Sequence, residues 1–183
     1  MVLPGFFMGG AMKERHEALM NEFLPLISAE YQNMFRELAE YAAALGYPPV
    51  RCKTKDLAID FRSSKCKATI MKMEIKEQRH DGFRCGERDV PGLRLKFFAS
   101  KHYSPMFHRG VQHVIEEFDG KYTGCYGCGR CTGSPQGYVF RYPDGREVFR
   151  CGRELISVFD FGEENMREIK SLLKAQAEYF AAE

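Results

Sequence analysis

The hydrophobic period of this chain shifts from about 3.6 residues to 2 and back again, which restricts the folds open to it. Met34, Phe35, Leu38, Tyr41, Ala42 and Leu45 fall on one helical face. Ser28 stands before them as N-cap, Gly46 follows as a stop, and Pro48-Pro49 forbids continuation. A shorter helix is predicted over residues 12–24, closed by Pro25. Beyond Pro49 the period becomes 2. Leu57–Phe61 and Lys67–Glu77 are predicted strands; in the second, Thr69, Met71, Met73 and Ile75 alternate with Ile70, Lys72 and Glu74. His80-Asp81-Gly82 marks a turn, and Leu93, Leu95 and Phe97 alternate with Arg94 and Lys96 in a third strand. Ser104-Pro105 starts a helix whose buried stripe is Phe107, Val111, Val114, Ile115 and Phe118, with Asp119-Gly120 after it. A last helix runs from about Glu163 to Phe180, with Met166, Ile169, Leu173 and Phe180 turned inward and Asp160 as cap.

That order predicts an α+β fold: a small antiparallel sheet with packed helices, then a cysteine-rich β-hairpin and a C-terminal helix. Residues 1–119 form the first unit, in which 1–12 are loosely held around Gly5, Gly9 and Gly10. Residues 120–183 supply the hairpin and last helix, packed on it. Fifteen Phe and nine Tyr provide bulky core material, enough for a chain of 183 residues to do without disulfide staples. No apolar run approaches the ~20 residues of a membrane-spanning helix, so no membrane contact is expected. The opening residues lack a basic stretch ahead of an apolar one, and Lys13-Glu14-Arg15 follow at once, which is a poor signal peptide. The expected location is the cytoplasm. Seven cysteines in such a chain are ligands, reactive thiols or small buried hydrophobes rather than a disulfide framework.

The net charge of +2 conceals a basic middle: residues 51–101 carry fourteen Lys and Arg against seven Asp and Glu. Such a segment could meet nucleic acid, with Leu93-Arg94-Leu95-Lys96-Phe97-Phe98 offering bases for phosphates and rings for stacking. The competing expectation, which is favoured, is the wet face of a sheet. Arg94, Lys96 and Lys72 share that face, and Glu74 joins them to make it mixed. Binding to random DNA or RNA is then expected to be no tighter than roughly 10⁻⁴–10⁻⁶ M.

The sharpest chemistry lies in Cys125-Tyr126-Gly127-Cys128-Gly129-Arg130-Cys131, with Cys151-Gly152-Arg153 twenty residues beyond Cys131. Between them, Gly137–Tyr142 and Arg146–Cys151 flank the turn Pro143-Asp144-Gly145. Counting back from Tyr142 opposite Arg146 puts Gly137 opposite Cys151, so the lone thiol returns beside the other three. Thiols two residues apart can reach one ion, the glycines permit tight turns, and Arg130, Arg150 and Arg153 would offset the charge of four thiolates. The predicted metal ligands are Cys125, Cys128, Cys131 and Cys151, with Cys85 as the alternative to Cys131 because Phe83-Arg84-Cys85-Gly86 echoes Phe149-Arg150-Cys151-Gly152. His102 and His108 come after Cys85 as outside ligands. His108 and His113 are five residues apart and do not share a helical face. Cys52 and Cys66 flank strands and are predicted to be buried thiols.

Residues 121–155 resemble a zinc ribbon, although a ribbon's second turn normally carries a cysteine pair. The whole chain resembles a family of small bacterial proteins, and that likeness implies no activity. The expected cofactor is Zn2+ in a closed structural site, with an Fe–S cluster as the alternative because Cys-x-x-Cys-x-x-Cys begins a ferredoxin-type ligand run. A redox dithiol ranks lower, since no helix begins after Cys128 to favour a thiolate. The leading expectation is therefore a zinc-binding interaction module. An Fe–S redox protein, a zinc-dependent enzyme and a nucleic-acid binder are the alternatives, and no catalytic residue stands out.

Overall fold

The computed structural model describes residues 12–75, 91–131 and 133–182. Cys85, the turn at His80-Asp81-Gly82 and nearly all of the loosely held start lie outside the described residues. The fold is α+β, with helices α1 (Glu14–Phe23), α2 (Ala29–Ala44), α3 (Pro105–Glu116) and α4 (Met166–Ala182). Strands β1 (Pro49–Arg51), β2 (Ala58–Arg62), β3 (Thr69–Glu74), β4 (Gly92–Leu95) and β7 (Ile156–Val158) form one antiparallel sheet in the order β1-β2-β3-β4-β7. Strands β5 (Gly137–Arg141) and β6 (Glu147–Cys151) make a separate hairpin. Two cross-strand rows, Ile59–Met73–Leu93–Val158 and Phe61–Met71–Leu95–Ile156, build the core face. All eight side chains are buried there, as the period-2 alternation of β3 and β4 predicts.

The helices cover this face: α2 lies against β2, α4 against β3, and α3 against β7. Gly110 makes the α3–β7 contact possible. A Cβ there would stand 2.5 Å from the Ser157 carbonyl oxygen and 2.8 Å from Ile156 Cγ2. Gly110→Ala is therefore expected to destabilise the protein by about 1–3 kcal/mol through overpacking, overriding the ~1 kcal/mol alanine gains over glycine within a helix. Urea denaturation checks this, and an unchanged or higher midpoint would contradict the close approach.

The strand Ile156–Val158 is not visible as a period in the sequence, because three residues are too few to alternate, yet it closes the sheet beside β4. Three local expectations are corrected. Phe118 does not extend the buried stripe of α3: the helix ends at Glu116, Phe118 takes a left-handed φ of 54°, and its ring is 63 % exposed against Tyr122. Asp160 does not cap the last helix. A 3-10 turn at Glu163–Asn165 precedes α4, and the Gly162 N–H donates to Asn165 Oδ1 at 2.8 Å. Ser104 holds the predicted position before Pro105, but its hydroxyl makes no cap; its N–H donates to Glu168 Oε1 at 2.6 Å and ties α3 to α4. Among the described residues no helix is long and apolar enough to cross a membrane.

Candidate functional site

The hairpin register is the one counted from the turn. Gly137 pairs with Cys151, and the Tyr142 N–H donates to the Arg146 carbonyl at 2.9 Å. Tyr138 anchors it: its ring is buried against Phe97 and Phe98, and its hydroxyl accepts the Phe97 N–H at 3.1 Å. Burial pushes the Tyr138 phenol well above its usual range, so it remains neutral. The cysteine-bearing loop returns beside β6, where the Gly124 N–H donates to the Phe149 carbonyl at 2.8 Å. Gly127 and Gly129 have φ of 60° and 69°, left-handed conformations that let the loop turn twice within a few residues.

The loop returns, but the thiols do not assemble a metal site. Among the described residues no group of three or more His, Cys, Asp or Glu side chains could hold a metal ion. The expectation of a metal-binding protein is corrected accordingly. Each sulfur has a different setting. Cys125 is exposed and accepts the Gly127 N–H at 3.4 Å, and Cys131 accepts the Gln136 N–H at 3.4 Å. Cys151 is buried on β6, and Cys128 is half-exposed. Arg150 does not neutralise thiolates either. Its buried guanidinium donates to the Tyr122 carbonyl at 2.6 Å and lies 3.8 Å from Glu154, pegging the loop to the hairpin. His102 and His108 are exposed, and His108 packs against the Tyr103 ring.

Instead, Cys128, Cys131 and Cys151 join Cys66 in lining a cleft of about 930 Å³ between the loop and the wet face of the sheet. Arg62, Lys67, Lys72, Arg94 and Lys96 line it from the sheet side, and Arg130 and Arg153 from the loop side. Asp60 and Glu154 are the acidic side chains in its lining, which leaves a formal charge of +5. Lys72 pairs directly across the sheet with Arg94, a like-charge contact that costs stability. Glu74 relieves it, lying 2.9 Å from Lys72 Nζ and 3.2 Å from Arg94 Nε. This part of the wet face is thus mixed, as expected. Phe97 and Phe98 are both buried, so neither ring is free to stack on a base.

Lys96 departs from the expectation of an exposed base. It is 9 % exposed, its ammonium standing 6.0 Å from the centre of the Phe180 ring. Burial pulls its pKa down to about 8, and the facing charges pull both ways: Cys151 and Glu154 raise it, Arg153 and Arg130 lower it. Alternation placed Lys96 on the correct face. What it could not show is that α4 and the hairpin cover that end of the face, through Phe180 and through Gly152 packed on Phe98.

The thiols differ in chemistry. At Cys128 the Arg130 backbone amide, with the Arg153 and Arg130 charges, holds the thiol below its usual range against slight desolvation. A turn amide and two guanidiniums thus do what no helix N-terminus does here. At Cys66 burial works upward, but hydrogen bonds from the Ala68 backbone, Tyr47 and Ser63 outweigh it and the thiol is also lowered. Cys66 is exposed, which corrects its expected burial, whereas burial and Asp60 push Cys52 up to about 11. Comparisons with protein-family models, curated proteins and solved structures found no match to this chain.

Proposed function

We propose that the protein binds a small molecule bearing two or more negative charges, of the pyrophosphate or polycarboxylate kind, in the cleft between the sheet and the cysteine loop. Lys96 carries this reading. A buried lysine with an aromatic ring beside it and no ion-pair partner among the described residues is costly to keep, and an anion in the cleft would offset that cost. The volume suits a compact ligand, and the surrounding bases would focus an anion's approach. Arg62, Arg130 and Arg153 offer planar, forked donors matched to phosphate and carboxylate oxygens. The free thiols of the six described cysteines are in keeping with a reducing compartment such as the cytoplasm.

Calorimetric titration with pyrophosphate and with citrate tests the proposal and separates the two ligand kinds. Saturable binding of one of them with Kd at or below roughly 1 mM is expected, weakening as salt rises. Absence of saturable binding by either anion at low salt would refute it. The same titration read by anisotropy with a labelled random oligonucleotide is expected to stay in the nonspecific range of roughly 10⁻⁴–10⁻⁶ M. Nanomolar, steeply salt-dependent binding would make nucleic acid the better reading.

A further inference from the structure

We propose that Cys128 is a site of thiol–disulfide exchange with small anionic disulfides, which the basic cleft gathers and presents to its sulfur. This rests on the reading of the cleft as an anion site and adds a covalent step to it. Cys128 lines the cleft and is half-exposed, so a disulfide can approach it. Among the other thiols in the lining, Cys151 is 2 % exposed and offers no path for in-line attack, and Cys66, although exposed, owes its lowered thiol to hydrogen bonds from Ala68, Tyr47 and Ser63 rather than to Arg130 and Arg153. Arg130 and Arg153 line the cleft together with Cys128 and would attract a carboxylate on the incoming molecule. Lys96 is an independent sign of an anionic occupant. It is nine-tenths buried, and the titratable and charged groups that face it, Cys151, Glu154, Arg153 and Arg130, all belong to the cleft wall opposite the sheet.

In the exchange, the Cys128 thiolate attacks one sulfur of the disulfide R–S–S–R. A new S–S bond forms between Cys128 and that sulfur while the original S–S bond breaks. The second half departs as RS⁻ with the bonding pair and takes up the proton that the Cys128 thiol released. Cys128 is oxidised, the departing half is reduced, and no other oxidant is needed. The product is a mixed disulfide that places an anionic group within the ring of bases.

The test uses the full-length reduced protein with two disulfides of opposite charge, oxidised glutathione and cystamine. Intact mass and peptide mapping follow the adduct. One glutathionyl group on Cys128 is expected, formed at least about tenfold faster than the cystamine adduct at low salt, with the preference lost at about 1 M salt. Arg153→Ala is expected to slow the glutathione reaction about threefold to tenfold without slowing that of cystamine. Cys128→Ser should abolish the adduct, and because this residue is half-exposed an unchanged circular dichroism spectrum is expected alongside. Modification chiefly at Cys66 or Cys125, equal rates for the two disulfides, or no adduct would each overturn the inference. A protein that binds pyrophosphate yet leaves Cys128 unmodified would overturn it while sparing the proposed function. Protection of Cys128 by bound pyrophosphate would support both.

Discussion

Lys96→Met is expected to make the protein more stable and to deprive it of its anion. In the folded chain the amine titrates near 8 rather than at its usual 10.5, so keeping it charged costs about 3 kcal/mol at pH 7. Methionine keeps the unbranched stem and removes the charge, at the loss of the contact with Phe180. A net gain of roughly 1–3 kcal/mol in urea denaturation at about pH 7 follows. The pH dependence has a definite sign. Below about 8 both folded and unfolded chains hold this proton and the cost is fully present. Between about 8 and 10.5 the folded chain sheds it first, the unfolded chain binds more protons, and the stability of the parent rises with pH. The advantage of the variant should therefore shrink from about pH 7 to about pH 10. Loss of pyrophosphate or citrate binding together with this gain would identify a residue kept for function at a cost in stability. A variant less stable than its parent at neutral pH would show that Lys96 is a structural cation instead.

The second large effect is expected at Tyr138. Its side chain is 2 % exposed, stacks edge-on to Phe97 with ring centres 5.1 Å apart, and donates to the Glu154 carbonyl at 3.4 Å. Tyr138→Ala removes that packing and leaves the Phe97 N–H without its acceptor, so a loss of about 3–5 kcal/mol is expected. Tyr138→Phe removes the hydroxyl alone and should cost about 1–2 kcal/mol. The cleft has one wall on the sheet and the other on the hairpin, so Tyr138→Ala should also release the loop that carries Cys128. Hydrogen exchange should then quicken across residues 124–151 ahead of the sheet. A Tyr138→Ala protein within about 1 kcal/mol of the parent would mean that the hairpin is held by something other than this ring.

What was legible in the sequence was local. The apolar stripe of α2 and its stop at Gly46 depend on spacing within one helix, and Gly46 takes the positive φ of 90° that such a stop requires. The alternation of β3 and β4 places Met71, Met73, Leu93 and Leu95 in the core, since successive residues of a strand point to opposite faces, although Ile70 of the other parity is buried as well. The turn Pro143-Asp144-Gly145 determines the hairpin register down to Gly137 opposite Cys151. Helix, strand and hairpin periods in that order were enough for the α+β class.

Tertiary structure decided everything that depends on what covers a face. Lys96 and Arg94 have the same parity, but only the end carrying Lys96 is roofed by Phe180 and the hairpin, and so only Lys96 is buried. The cysteines show the same division. Spacing and register bring four thiols to one region, and the short spacing of Cys125, Cys128 and Cys131 suggests convergence on one ion. Side-chain direction around the left-handed turns at Gly127 and Gly129 turns Cys128 and Cys131 to a wide basic cleft and leaves Cys125 out of its lining. A period records the environment of one element, averaged over its length. Whether neighbouring side chains meet at a point or line a cleft depends on how elements far apart in the chain pack, and no period within one element carries that information.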